Sequence, residues 1–306
     1  MSSFDGRRQY WFIAIAPLLL PALQTPAYAQ PGFYYPKRER PNAPTSAYYS
    51  VTPVLITNGD DELAGWVFEP KTVNPKGTIV FSHGNAGNME DHVAFVDFLP
   101  RYGFRVLMYD YRGYGESTLL EPTRESTMSD THAAIDFAVE RWHKPWLMGH
   151  SLGASLTIAV AAKRTAEVKG VIAVAPFTSY GSVARANLRK SILSRALVLP
   201  SYVVVRRAHE PIDAVAQIAP TPLLLVHAED DSIVPPQMSR ALYEKANEPK
   251  HLLMVPNAGH NSSWSEMGDE YLDTICSFLH GKLPKDTSQK PPPASKSAHR
   301  SSSSAK

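Results

Sequence analysis

From Thr78 onward, short apolar runs the length of one strand alternate with longer stretches of helical spacing. Thr78–Ser82, Arg105–Tyr109, Trp146–Gly149, Val171–Ala175, Pro222–His227 and His251–Val255 are the short runs. Asp91–Tyr102, Glu125–Trp142, Leu152–Ala166 and Trp264–His280 carry the helical spacing. In Glu125–Trp142, for instance, Ala133, Ala134, Phe137 and Ala138 fall on one stripe. Repeated strand–helix pairs demand a mostly parallel sheet with helices on both faces, because only crossover connections join parallel neighbours. Upstream, Tyr48–Ile56 and Leu63–Glu69 flank the turn signal Asn58-Gly59-Asp60-Asp61 and predict an antiparallel hairpin. The expected class is therefore α/β, with an N-terminal hairpin added to a parallel sheet. Such a sheet places its ligand site beyond the carboxyl ends of its strands, so chemistry-bearing residues should follow strands directly.

One stretch does so in a specific way. Gly149-His150-Ser151-Leu152-Gly153 is a Gly-x-Ser-x-Gly pattern set between an apolar strand and an Ala-rich helix. A serine on a sharp strand-to-helix turn needs small neighbours, and the helix start favours negative charge developing beside it. A serine hydroxyl is a poor nucleophile until a base takes its proton. His260, in Pro256-Asn257-Ala258-Gly259-His260, follows the last strand and precedes the last helix, where a base belongs. Of the other histidines, His83 reads as structural and His150 as pointing away from the nucleophile; His92, His132 and His143 read as surface or packing residues. The acid that would orient the base should follow Pro222–His227, where Asp230 and Asp231 both qualify. An oxyanion needs two fixed donors. The backbone N–H of Leu152 is one. The loop His83-Gly84-Asn85-Ala86-Gly87-Asn88 should supply the other, with Asn85 the first candidate and Ala86 the alternative.

HGNAGN, DYRGYGES, GHSLG, PFTS, EDDSIVP and AGHN occur in an order that resembles the α/β-hydrolase superfamily from about residue 47 to 281. The resemblance is to its serine-aminopeptidase-like branch, which includes relatives of protein depalmitoylases. It implies an acid directly before a polar-apolar-Val-Pro run, which selects Asp231 ahead of Ser232-Ile233-Val234-Pro235. It also implies that Asp110 and Arg112, in DYRGYGES, pair structurally rather than react. The implied activity is hydrolysis of an acyl ester or thioester without metal or cofactor. A peptidase, or a catalytically idle binding protein on the same scaffold, are the alternatives, since fold does not fix chemistry.

The rest of the chain sets the context. Arg7 and Arg8, the apolar run Tyr10–Leu23 and Ala27-Tyr28-Ala29 read as a signal peptide over residues 1–29, cleaved after Ala29. That address is the periplasm or the cell exterior; retention as an anchor is the alternative. Residues 30–45 read as an extended lead-in, residues 46–281 as one domain, and 282–306, with PPP and SSSS, as a disordered tail. A short cap insertion is expected over about 178–220. It carries Arg185, Arg189, Lys190, Arg195, Arg206 and Arg207, either a solvated basic face or a surface for anionic acyl substrates. Its apolar Leu197–Pro200 and Val203–Val205 are candidates for an acyl pocket or for peripheral membrane contact. The net charge of +2, with scattered basic residues, gives no footprint for nucleic acid. The single cysteine, Cys276, makes no internal disulfide and reads as a buried small hydrophobe.

Overall fold

The computed structural model describes residues 33–71, 73–190, 194–198, 201 and 209–282. The expected signal peptide, the tail from residue 283 and, within the cap, Leu199, Pro200, Val203–Val205, Arg206 and Arg207 lie outside the described residues.

The described elements begin with the two-residue strand β1 (Tyr35–Pro36). The hairpin follows as β2 (Tyr49–Asn58) and β3 (Asp61–Pro70). Its two-residue loop places Gly59 at φ 65°, a conformation that glycine enters without a Cβ clash. β4 (Thr78–Ser82) and β5 (Ala86–Gly87) come next, then β6 (Arg105–Tyr109), α1 (Arg124–Trp142), β7 (Trp146–His150), α2 (Leu152–Ala161) and β8 (Gly170–Val174). After these come α3 (Tyr180–Leu188), the single turn α4 (Pro211–Ala214), β9 (Leu223–Ala228), α5 (Gln237–Lys245), β10 (Lys250–Val255) and α6 (Trp264–Leu279).

Eight strands form one sheet in the order β10-β9-β8-β7-β4-β6-β3-β2. All neighbours are parallel except β3, which runs antiparallel to both β2 and β6. The central strands are buried along their whole length, as a sheet covered on both faces requires. One buried cluster joins α1, α2 and α5 to one face; α6 and the chain from Met89 to Phe104 cover the other. From β4 the chain passes to β6 on one side and to β7 on the other, so the crevice at their carboxyl ends is the sheet's switch point.

Several elements depart from the sequence expectation. Asp91–Tyr102 is not one helix but two 3-10 segments, Met89–Phe95 and Leu99–Tyr102. Pro100 opens the second, and Gly103, at φ 89°, ends it. α2 stops at Ala161, five residues before the expected end, where the chain turns and Arg164 pairs with Asp136 and Glu167. Asp110 and Arg112 do not pair with each other. Arg112 reaches Asp61 (2.5 Å) and Asp130 (2.7 Å), while Asp110 Oδ1 faces His83 Nε2 (3.2 Å) and accepts from the Met89 N–H (2.7 Å). Adjacent side chains in a tight turn leave in different directions, and these two enter different layers. Cys276 is only partly buried, and burial still raises its thiol to about 11, so it stays protonated at neutral pH.

Candidate active site

Ser151 sits between β7 and α2 at φ 55°, ψ −112°, outside the regions open to ordinary residues. Strand and helix are pressed together around it. A Cβ at Gly149 would lie 2.4 Å from the Gly153 carbonyl, and one at Gly153 only 1.9 Å from the Ser82 carbonyl of β4. The two glycines thus let the turn close, and the turn lifts Ser151 out of the sheet. Leu152, the first residue of α2, has no intrahelical acceptor for its N–H.

His260, Ser151 and Asp231 meet at one end of the sheet, although 109 residues separate the first two. His260 Nε2 is 3.1 Å from Ser151 Oγ, and His260 Nδ1 is 2.7 Å from Asp231 Oδ2. Because an ionised carboxylate only accepts, Nδ1 carries the proton and Nε2 is left to accept from the hydroxyl; this tautomer is inferred from the partners. Asp230 is exposed, and its N–H bonds the Ala258 carbonyl; Asp231 is the one turned inward. Burial opposes ionisation of Asp231, but hydrogen bonds from His227 and His260 and from the Val234 N–H hold its carboxyl well below the ordinary range. Its Oδ1 accepts from the Ile233 and Val234 N–H groups, both at 2.8 Å.

The sequence reading missed two supporting histidines. His227 lies at the end of β9, where its Nε2 is 3.2 Å from Asp231 Oδ2 and 3.0 Å from the Val234 carbonyl; its Nδ1 meets Ser239 Oγ at 2.6 Å. The available signal was a histidine inside the otherwise apolar run Leu223–Ala228, four residues before the acid. His150 does more than point elsewhere: its Nε2 donates to the His260 carbonyl at 2.8 Å, fixing the backbone that carries His260. His83 is structural, its Nδ1 bonded to the Gly84 carbonyl at 2.7 Å. His92 stacks on His83 and bonds the Ala86 carbonyl, so it packs rather than faces solvent. His132 is half-buried on α1, and His143 is exposed just beyond it.

These rings give the site a pH signature. Burial, with His83 beside it, pushes His92 down to about 3. Burial, with His260 and His92 nearby, holds His150 well below its ordinary value. Both are neutral when folded and bind a proton near pH 6.5 when unfolded. Between about pH 6.5 and 4 the unfolded chain therefore binds more protons, and folding stability falls with pH, by up to about 1.4 kcal/mol per pH unit for each ring. Asp231 acts lower: its contribution is complete above an unfolded value of about 3.9 and is lost as pH falls toward its depressed folded value. Burial raises the Asp130 carboxyl to about 6 and shifts that of Asp110 upward, which adds stability as pH falls through the same window. The ring's share is therefore the extra fall in urea midpoint from pH 7 to pH 5 of the wild type over His92→Gln, and no extra fall would mean that this ring is not held neutral.

The cap base packs on the acid loop. Asn187 Nδ2 donates to the Ile233 carbonyl at 3.2 Å, and Lys190 Nζ donates to the Ser232 carbonyl. Lys190 thus braces the loop that carries Asp231 through a backbone contact and keeps its charge. Among the described residues, no group of histidine, cysteine and carboxylate side chains could hold a metal ion, and no helix is long and apolar enough to cross a membrane.

Comparison with known proteins adds the family. A family model described as "Serine aminopeptidase, S33" matches residues 73–209, and one described as "TAP-like protein" matches 202–289. The uncharacterized protein YfhR of Escherichia coli is 32% identical over 262 residues, covering 82% of this chain and 87% of YfhR. Human alpha/beta hydrolase domain-containing protein 17B is 29% identical over 215 residues, 69% of this chain and 68% of that protein. Among solved structures, the Pyrococcus furiosus esterase Pf2001 superposes with a TM-score of 0.66 at 20% identity, covering 82% of this chain and all of that one. Est1E of Butyrivibrio proteoclasticus, solved with ferulic acid, gives 0.57 at 19% identity over 74% of this chain and 96% of its own. At such identities the two structures speak for the fold alone.

Proposed function

The chain belongs to the α/β-hydrolase superfamily, among relatives of the serine aminopeptidases, and from that premise we propose that it is a serine hydrolase cleaving acyl esters or thioesters. The observation that carries the reading is the unbroken hydrogen-bonded line from Ser151 Oγ through His260 to Asp231. Ser151 Oγ attacks the acyl carbonyl carbon while His260 Nε2 takes the hydroxyl proton. The carbonyl oxygen becomes an oxyanion, received by the backbone N–H groups of Leu152 and Asn85. Collapse of the tetrahedral intermediate breaks the bond to the leaving group, which takes its proton from His260, and leaves an acyl-Ser151. Water, deprotonated by His260, then releases the acid and restores the hydroxyl. Asp231 keeps the imidazole in the reactive tautomer and stabilises the imidazolium; it stays ionised throughout because its carboxyl is held so low. This cycle requires no cofactor.

An acyl substrate, small molecule or lipid, is the partner this chemistry fits. The basic residues of the cap support a preference for anionic acyl groups and contact with a membrane surface. The N-terminal run supports export, with cleavage after Ala29, to the periplasm or the exterior. The test is a screen of p-nitrophenyl esters and acyl thioesters of increasing chain length, each at low and high salt. We expect Ser151-dependent turnover of at least one series, and anionic esters that slow with salt more than neutral ones. No turnover of any ester or thioester would overturn the hydrolase reading; equal salt dependence would remove the charge preference alone.

A further inference from the structure

The loop that follows β4 is held from outside the main sheet, by a segment upstream of every core strand. β1 pairs in parallel with β5, Tyr35 opposite Ala86 and Pro36 opposite Gly87. The Tyr35 N–H donates to the Asn85 carbonyl at 2.9 Å, and the Lys37 N–H donates to the Gly87 carbonyl at 2.9 Å. Asn85 answers with its side chain, whose Nδ2 donates to the Phe33 carbonyl at 2.9 Å. The segment is anchored at both ends. Phe33 packs against the rings of Tyr180 (5.0 Å), the first residue of α3, and Phe177 (6.1 Å), on the chain just before it. The Lys37 carbonyl accepts from the Gly115 N–H, the Glu39 carbonyl accepts from Asn88 Nδ2, and the Asn42 N–H donates to Glu90. A two-residue strand pair has little stability of its own; these anchors keep it in place.

Two peptide planes orient the candidate donors, and the segment fixes one of them. A trans peptide is planar, so its carbonyl and N–H point opposite ways. The Asn85 carbonyl, held by the Tyr35 N–H and the Tyr114 hydroxyl (2.7 Å), therefore turns the Ala86 N–H to the other side. The preceding plane is pinned in the same manner: His83 Nδ1 holds the Gly84 carbonyl, which orients the Asn85 N–H. Both candidate oxyanion donors are thus set by bonds made on the side away from them. Glycines at positions 84 and 87 leave the loop free to rotate once those bonds go.

We propose that Phe33–Lys37 is a positioning strand for the oxyanion-hole loop, orienting the Ala86 N–H through the Asn85 carbonyl and holding Asn85 itself by its side chain; this rests on the serine-hydrolase reading of the site. Donors fixed before the reaction matter most where charge develops, so loosening them costs transition-state stabilisation and leaves ground-state binding nearly unchanged.

Full-length Tyr35→Pro tests this directly. It removes one backbone N–H at an extended position whose side chain is 44% exposed, whereas Tyr35→Ala keeps that N–H. With the p-nitrophenyl ester or acyl thioester that the wild type turns over fastest in the chain-length screen, we expect Tyr35→Pro to lose kcat by roughly 10²-fold, with KM within about threefold. The Ki of a trifluoromethyl ketone, which mimics the tetrahedral intermediate, should rise in step, while Tyr35→Ala stays within about threefold of wild type. Asn85→Ala cuts the tie to Phe33 and keeps its own N–H; a roughly tenfold loss of kcat is expected there and decides the matter if Tyr35→Pro does not fold. Wild-type kcat and Ki in these two variants, or equal losses in Tyr35→Ala and Tyr35→Pro, would overturn the proposal. A wild type with Ser151-dependent turnover and an unaffected Tyr35→Pro overturns this proposal alone; a wild type without such turnover overturns the hydrolase reading and this proposal with it.

Discussion

Replacing Ser151 with alanine is expected to cut kcat on any ester substrate by about 10⁵-fold, with far-UV circular dichroism and thermal unfolding close to wild type. The side chain is small and sits at the edge of the site, so its loss opens no cavity of consequence. What disappears is the covalent route itself, and among the described residues no other hydroxyl or thiol bonds the same imidazole nitrogen. The residues of such a unit are not additive: once Ser151 is gone, the base has no proton to take. The double variant Ser151→Ala/His260→Ala should therefore be only slightly slower than Ser151→Ala. Asp231→Asn is milder, about 10⁴-fold, because serine and imidazole remain but Nδ1 loses the acceptor that fixes its tautomer. Steady-state kinetics on the ester found by the chain-length screen measure all three. A Ser151→Ala variant within tenfold of wild type would show that the chemistry runs elsewhere.

The largest effect on stability is expected from Gly153→Ala. A Cβ there would lie 1.9 Å from the Ser82 carbonyl oxygen and 2.6 Å from that of His83. Both obstacles are backbone, at the end of a central strand, so no side-chain rotation relieves the clash. The first turn of α2 must separate from β4, which disturbs the packing of a helix buried on every side. A cost of more than about 4 kcal/mol is expected, which for a domain of this size means a fall in Tm of roughly 10 °C or more. Gly59→Ala is the contrast. Its Cβ would meet nothing within 4 Å, and only the positive φ is penalised, by about 1 kcal/mol. Thermal unfolding of the two variants side by side checks the ranking; a Gly153→Ala protein within 2–3 °C of wild type would contradict the close helix–strand contact.

Much of this arrangement is written in local pattern. β4, β6, β7, β8, β9 and β10 are continuous apolar runs, and burial on both faces leaves few other readings of them. Ser151 and His260 were legible because each directly follows such a run, where a parallel sheet presents its ligand site. The choice of Asp231 over Asp230 came from family resemblance, not from physics: one residue's difference in a turn decides which carboxylate faces inward, and neither composition nor period encodes that. The unread features share a cause. β1 and β5 are two residues each, too short to carry a period, and their pairing joins segments about 50 residues apart. The partners of Arg112 lie 51 and 18 residues away, so its neighbour Asp110 was a natural but wrong choice. His227 and His150 act through the acid and through the backbone of the base, at positions that sequence spacing alone does not connect to the serine. Asp91–Tyr102 has helical spacing, yet Pro100 and Gly103 divide and end it as 3-10 turns.

On the proposed mechanism Ser151 becomes covalently acylated with His260 as its base. Treating the full chain with a fluorophosphonate and mapping the adduct by peptide mass spectrometry tests it most directly. We expect one adduct, on the peptide that contains Ser151, absent in Ser151→Ala and formed at least 10²-fold more slowly in His260→Ala. An unmodified Ser151 peptide in the wild type, or labelling that persists unchanged in Ser151→Ala, would contradict the account.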